Sequence, residues 1–239
     1  MMNGKRKPLS AVLKIYLICC IFRAIEYFIL RTDQTIFGEA FVHKLAGIFI
    51  LFAGIKLFEF KAKEIGFDKD KTIQYIAKGL AFGAVAFILA YSAEVLMLAL
   101  QGKFTGLALY VSAYAVDGNI GHRTAPVFFA FCMIGNIINV VMEEGIFRGL
   151  FPRLLEQRYT RIISAVIASG LFGIWHIMAP IRNYCDGTMS LEGLIANSVM
   201  LAVTTCLIGF KFAMITKLTG NLYMAMGDHF VNNTVVNIL

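Results

Sequence analysis

The chain has 239 residues, of which 59% are hydrophobic and only 15% charged, with a mean hydropathy of +0.73; ordinary soluble domains carry roughly 25% charged residues. These values exclude a soluble globular domain and indicate an integral membrane protein, an all-α polytopic bundle of transmembrane helices. The net charge of +7 does not indicate nucleic acid, because the bases lie in short segments between apolar runs and no basic face with interleaved aromatics occurs.

Lys5, Arg6 and Lys7 precede an apolar run that resembles a signal peptide at first. The run is long, contains Lys14, Arg23 and Glu26, and has no small-residue cleavage site, so a retained first span and a mature chain beginning at Met1 are expected. At about 20 apolar residues per span, the sequence places helices at 9–30, 39–59, 75–101, 124–148, 160–179, 192–216 and 221–238, seven spans with an eighth as the margin. Basic segments at Lys5 to Lys7, Lys61 to Lys71, Arg148 to Arg161 and Lys217 fall at alternate ends. The positive-inside rule makes these ends, and with them the N-terminus, cytoplasmic. The opposite loops are poorer in bases but hold Arg31, Lys103, Arg123 and Arg182. No repeat, low-complexity tract or linker divides the chain, so 1–239 reads as one membrane domain, with a three-span part at 1–122 and polar motifs confined to 123–239. Cys19, Cys20, Cys132, Cys185 and Cys206 show no CxxC spacing and read as small apolar side chains.

Three polar clusters interrupt the apolar stretches: Glu143-Glu144-Gly145-Ile146-Phe147-Arg148, Phe172-Gly173-Ile174-Trp175-His176 and His229-Phe230-Val231-Asn232-Asn233. Ionisable groups at membrane depth are costly and mark function by default. On a helix, Asn136, Asn139 and Glu143 share a face, which should point into the bundle or a wet cavity. Glu144 precedes Arg148 by four residues, the favourable order for an ion pair, leaving Glu143 to meet a water or substrate. The plain alternative is a structural Glu-Arg clamp at the membrane boundary. His176 follows Ser169, Phe172 and Gly173 on one face, where a packing histidine is the simpler reading. His229, Asn233 and Asn237 form a stripe on the last span that could merely bond helices together at roughly 1 kcal/mol each.

Depth decides whether these groups can meet. If the fourth helix continues past Arg148 to about Gln157, bending near Pro152, Glu143 lies about 14 residues before the turn and His176 about 17 after it, roughly 21 and 25 Å back. The two then come level. His229, about 9 residues or roughly 14 Å beyond a turn at Thr219-Gly220, joins them if the hairpin between spans four and five protrudes.

In this order the clusters resemble the CPBP family of CAAX-prenyl endopeptidases and bacteriocin-processing proteases, whose pattern is EExxxR, FxxxH and HxxxN. Glu143, Glu144 and Arg148, then Phe172 and His176, then His229 and Asn233 match it, and Gly149 and Gly173 fit the usual context. The resemblance covers roughly residues 125–238; the first three spans match only in being hydrophobic. It implies an intramembrane endopeptidase in which Glu143 activates a water, His176 assists, and His229 with Asn233 donates to the oxyanion, while Glu144, Arg148 and Phe172 support them. Ser169 and Cys132 have no paired base and do not read as nucleophiles.

No metal or other cofactor is expected. A zinc site of Glu143, His176 and His229 is the alternative, although the chain lacks HExxH and Asn233 suits an oxyanion better than zinc. The implied partners are the lipid bilayer and a peptide or membrane-protein substrate, prenylated or not. The short loops and Phe/Ile-rich composition suggest a prokaryotic plasma membrane. A non-catalytic bacteriocin-immunity or binding protein is a competing reading, and so is a transporter. An intact base and oxyanion set argues against the first, and the lack of repeat symmetry argues against the second.

Overall fold

Proline opens two of the long helices, as its missing N–H and fixed φ allow at a first turn. Pro8 starts α1 (Pro8–Ile25) and Pro126 starts α4 (Pro126–Glu144). The computed structural model describes residues 7–35, 40–111 and 124–238; Lys5, Arg6 and Arg123 of the basic segments lie outside them. Between and beyond these helices run α2 (Val42–Leu57), α3 (Thr72–Leu100), α5 (Phe151–Leu155), α6 (Arg161–Trp175), α7 (Met178–Cys185), α8 (Leu191–Thr219) and α9 (Leu222–Ile238). The described residues contain no strand pairing among these elements, so the bundle is all-helical. This is the arrangement a bilayer requires of an open chain, since every backbone polar group must be satisfied within its own segment.

Five segments are long and apolar enough to cross a membrane by length and composition: Pro8–Gln34, Thr72–Leu100, Pro126–Leu155, Arg161–Cys185 and Leu191–Thr219. All seven predicted spans are helical, but two fall below that length. Helix α2 has 16 residues and α9 has 17, about 24 and 26 Å at 1.5 Å per residue, short of a hydrocarbon core of about 30 Å. The fourth predicted span is longer than 124–148. Helix α4 passes through a π-helical stretch at Gly145–Leu150 into α5, and the rod runs to Leu155. The fifth breaks at His176 and resumes as α7, so Cys185 and Asp186, placed in an outer loop by the sequence, end an ordered helix.

Lipid solvates the outside of this bundle. Leu17, Ile29, Phe49, Leu89, Leu96, Val199 and Leu207 are exposed apolar side chains on the spans. Since lipid tails are as apolar as leucine, the interior must be held by close packing and polar bonds. Small residues provide the packing. In α3 only Gly79 and Gly83 are buried, and a side chain at Gly79 would strike the Met224 carbonyl of α9. At Gly173 it would strike the Ala202 carbonyl, which brings α6 against α8. Val12, Leu51, Met142, Phe147, Leu150, Phe172 and Trp175 join α1, α2, α4 and α6 in one core.

Candidate active site

Helix α4 turns one polar face inward. Asn136 donates to Thr234 (3.1 Å) and accepts from Asn237 (3.2 Å), so amides zip α4 to α9. One turn on, Asn139 Nδ2 donates to Glu143 Oε2 (3.1 Å), and the indole Nε1 of Trp175 donates to Glu143 Oε1 (2.9 Å). Glu143 is 3% exposed. It is therefore held by two donors, and since a carboxylate has about four acceptor sites, two remain.

Glu144 and Arg148 pair across one turn at 3.2 Å, as their spacing predicted. Glu144 does more than that. Its Oε1 also lies 2.7 Å from His229 Nδ1, drawing α9 to the α4 rod. With Nδ1–H donating to this carboxylate, the other ring nitrogen faces Glu143, Nε2 standing 3.6 Å from Oε2. Phe212 of α8 stacks on the His229 ring at 4.7 Å and 22°.

Phe172 organises the remaining pieces. The Arg148 guanidinium lies over its face at 3.8 Å, a cation–π contact. The His176 ring meets it edge-on at 4.6 Å and the His229 ring at 6.2 Å. Gly209 leaves the space for this layer, since a Cβ there would sit 2.9 Å from both Arg148 Nη2 and Phe172 Cδ1. His176 caps α6, and its Nδ1 is 2.8 Å from the Phe172 carbonyl. That carbonyl can only accept, so the proton sits on Nδ1 and Nε2 is a free acceptor. His176, His229, Arg23 and Lys44 are near enough to Glu143 to interact with it electrostatically.

The three motifs thus meet around Glu143, and residues 125–235, which carry them all, match the family model described as type II CAAX prenyl endopeptidase Rce1-like. This segment is similar to the Rce1-like family. Neither a curated protein nor a solved structure matches the chain. The match supports a membrane peptide hydrolase in general class.

Asn233 lies one turn beyond Glu143's neighbour His229 on α9, half-buried, with its Oδ1 3.5 Å from Asn232 Nδ2. Among the described residues no three His, Cys, Asp or Glu side chains converge as a metal-ligand group. Ser169 is buried, its hydroxyl making no hydrogen bond among the described residues, and Cys132 lies against Asn136.

Sequence reasoning missed what lies outside the Rce1-like segment. Arg23 of α1 stacks over the Trp175 indole at 4.2 Å, His43 of α2 packs on it at 5.9 Å, and Tyr27 accepts from Arg23 at 3.0 Å. The signal was available: Arg23, Glu26, His43 and Lys44 are four ionisable residues inside apolar spans. All four are buried.

Proposed function

We propose that this chain is an intramembrane endopeptidase that hydrolyses a peptide bond near the cytoplasmic side by glutamate-activated water. The observation that carries the reading is the pair Glu143 Oε2 and His229 Nε2 at 3.6 Å. The separation is too long for a direct hydrogen bond, so the two groups suit a shared third atom. Glu143 takes the proton of a water placed there as general base, with Nε2 of His176 as the assisting acceptor. The hydroxyl so formed attacks the scissile carbonyl, and the proton passes to the leaving amine.

His229 and Asn233 supply donors to the tetrahedral oxyanion. Nε2 donates only when the ring carries both protons, and Glu144, accepting at Nδ1, supports that state. Asn139 and Trp175 fix the carboxylate in rotation, which matters because misplacement by an ångström is costly in rate. No covalent intermediate is required. The chemistry needs no metal, and the substrate is a peptide or membrane protein, prenylated or not. The basic ends of α5, α6 and α8 favour a cytoplasmic opening and a cytoplasmic N-terminus.

Peptide-end mass spectrometry on host membranes carrying wild type or Glu143→Gln tests this. New termini that depend on wild type, survive chelation and fall ~10²–10⁴-fold in rate with Glu143→Gln are expected. Loss of the termini on chelation would mean a zinc enzyme, and identical termini from both proteins would mean a binding or immunity role.

A further inference from the structure

A cavity of about 250 Å³ opens where α5 ends, α6 begins and α8 ends, closed on its fourth side by Lys63 to Gly66. At about 30 Å³ per water it has room for about eight water volumes. Its wall holds Lys63, Arg148, Arg153, Arg161 and Lys217 against two carboxylates, Glu64 and Glu156. Some of that charge is already answered: Arg148 pairs with Glu144, Arg153 with Glu64 at 3.4 Å, and Lys63 with Asp68 at 2.9 Å. No ion pair is seen for Arg161 or Lys217 among the described residues, and both are exposed at the rim.

The deeper wall is also short of acceptors. Arg148 Nη2, Arg153 Nε and Thr216 Oγ1 are buried and make no hydrogen bond among the described residues, while Arg148 Nη1 has its ion-pair contact with Glu144 at 3.2 Å. Buried donors left without acceptors are costly, and here three of them belong to residues around one basic cavity. Arg148 is 4% exposed.

We propose that this cavity binds the phosphate headgroup of an anionic membrane lipid. An oxyanion meets the charge and the donors, and a lipid fits the surroundings better than a free ion. The rim stands at the ends of two neighbouring spans, Arg161 starting α6 and Thr219 ending α8. Beside it Ile162 (45%), Val166 (53%) and Leu218 (85%) present exposed apolar side chains along which acyl chains can descend. The bound phosphate sits next to Arg148, whose other partner is Glu144, and so one residue removed from His229.

The test uses the full chain in nanodiscs of phosphatidylcholine with or without phosphatidylglycerol, with retained lipid read by native mass spectrometry. Wild type is expected to retain phosphatidylglycerol preferentially. Arg161→Gln with Lys217→Gln should weaken that retention about 25-fold, about fivefold for each basic residue near the surface. Lys217→Arg should keep it, and an unchanged melting temperature in phosphatidylcholine discs shows that the fold is intact. Should the double variant fail to fold, Arg161→Gln alone should still lose about fivefold. Equal retention of both lipids overturns the proposal. Thermal protection by inorganic phosphate without lipid retention overturns it in favour of a free anion. Displacement of the lipid by a peptide with a free C-terminal carboxylate but not by its amide overturns it in favour of a peptide-terminus site.

Discussion

Two hydrogen-bonded carboxylate–imidazole pairs are buried among the described residues, and they differ in how fully they are bonded. Glu26 lies 2.8 Å from His43 Nδ1, and Glu144 lies 2.7 Å from His229 Nδ1. Around Glu26 the donors are complete: Thr32 Oγ1, the Val42 N–H (3.0 Å), the His43 N–H and its ring all converge on one carboxylate. The two N–H groups belong to the first turn of α2, where an anion is favoured and orphan donors need acceptors. Glu26 is thus a cap that fastens the turn after α1 to the start of α2. Around Glu144 the bonding is incomplete, since its Oε2 and Arg148 Nη2 lack hydrogen bonds among the described residues, and Glu143 stands off His229 by 3.6 Å. Saturated bonding marks a clamp, whereas spare capacity beside a second carboxylate suits the proposed place for substrate.

Variants can break this contrast. The largest stability effect is expected at the catalytic side: Arg148→Ala strands a buried carboxylate and should cost ~3–5 kcal/mol, read as a lower melting temperature in detergent together with lost turnover. Glu26→Gln keeps an acceptor but weakens charge-assisted bonds, so a loss of ~1.5–3 kcal/mol in stability is expected. Its kcat per folded molecule should be unchanged. A drop in kcat at full folding would show that the two pairs are not separate in function.

Trp175→Phe keeps the ring but removes the donor to Glu143. A charge-assisted bond of ~1.5–3 kcal/mol corresponds to a fall in kcat of about ten- to a hundredfold, with KM little changed. The smallest effect is expected at the far end. The Arg31 guanidinium, bonded to Asp186 at 2.6 and 3.0 Å, holds its carboxyl below the usual carboxylate range. A depressed pKa adds stability above the unfolded value of about 3.9, and this is lost as pH falls through the folded one. The pair is partly exposed, so about 0–1 kcal/mol is expected. Melting temperatures of wild type and Asp186→Asn should differ slightly at neutral pH and converge in acid.

Much of the site was legible because helical spacing and chemistry are both local. The Glu144–Arg148 pair follows from an i,i+4 spacing, and the inward stripe of Asn136, Asn139 and Glu143 from a turn of 3.6 residues. Even the level meeting of Glu143 with His176 followed from counting back from one hairpin, and the rod to Leu155 satisfies it. Partners on other helices were not legible. Trp175 was read as a neighbour of His176, yet its indole N–H is what holds Glu143. Glu144 was assigned to Arg148 alone, yet it also binds a ring 85 residues away.

The sequence by itself determined that the chain is a membrane bundle, where its helices run, and which polar motifs interrupt them, because hydropathy and spacing are properties of neighbours along the chain. Only the tertiary structure decided that α1 and α2 brace Trp175, that two of the seven predicted spans are shorter than a bilayer core, and that both glutamates share one histidine. Those facts depend on which faces of different helices touch, and contact across such sequence distances is settled by packing of the whole bundle.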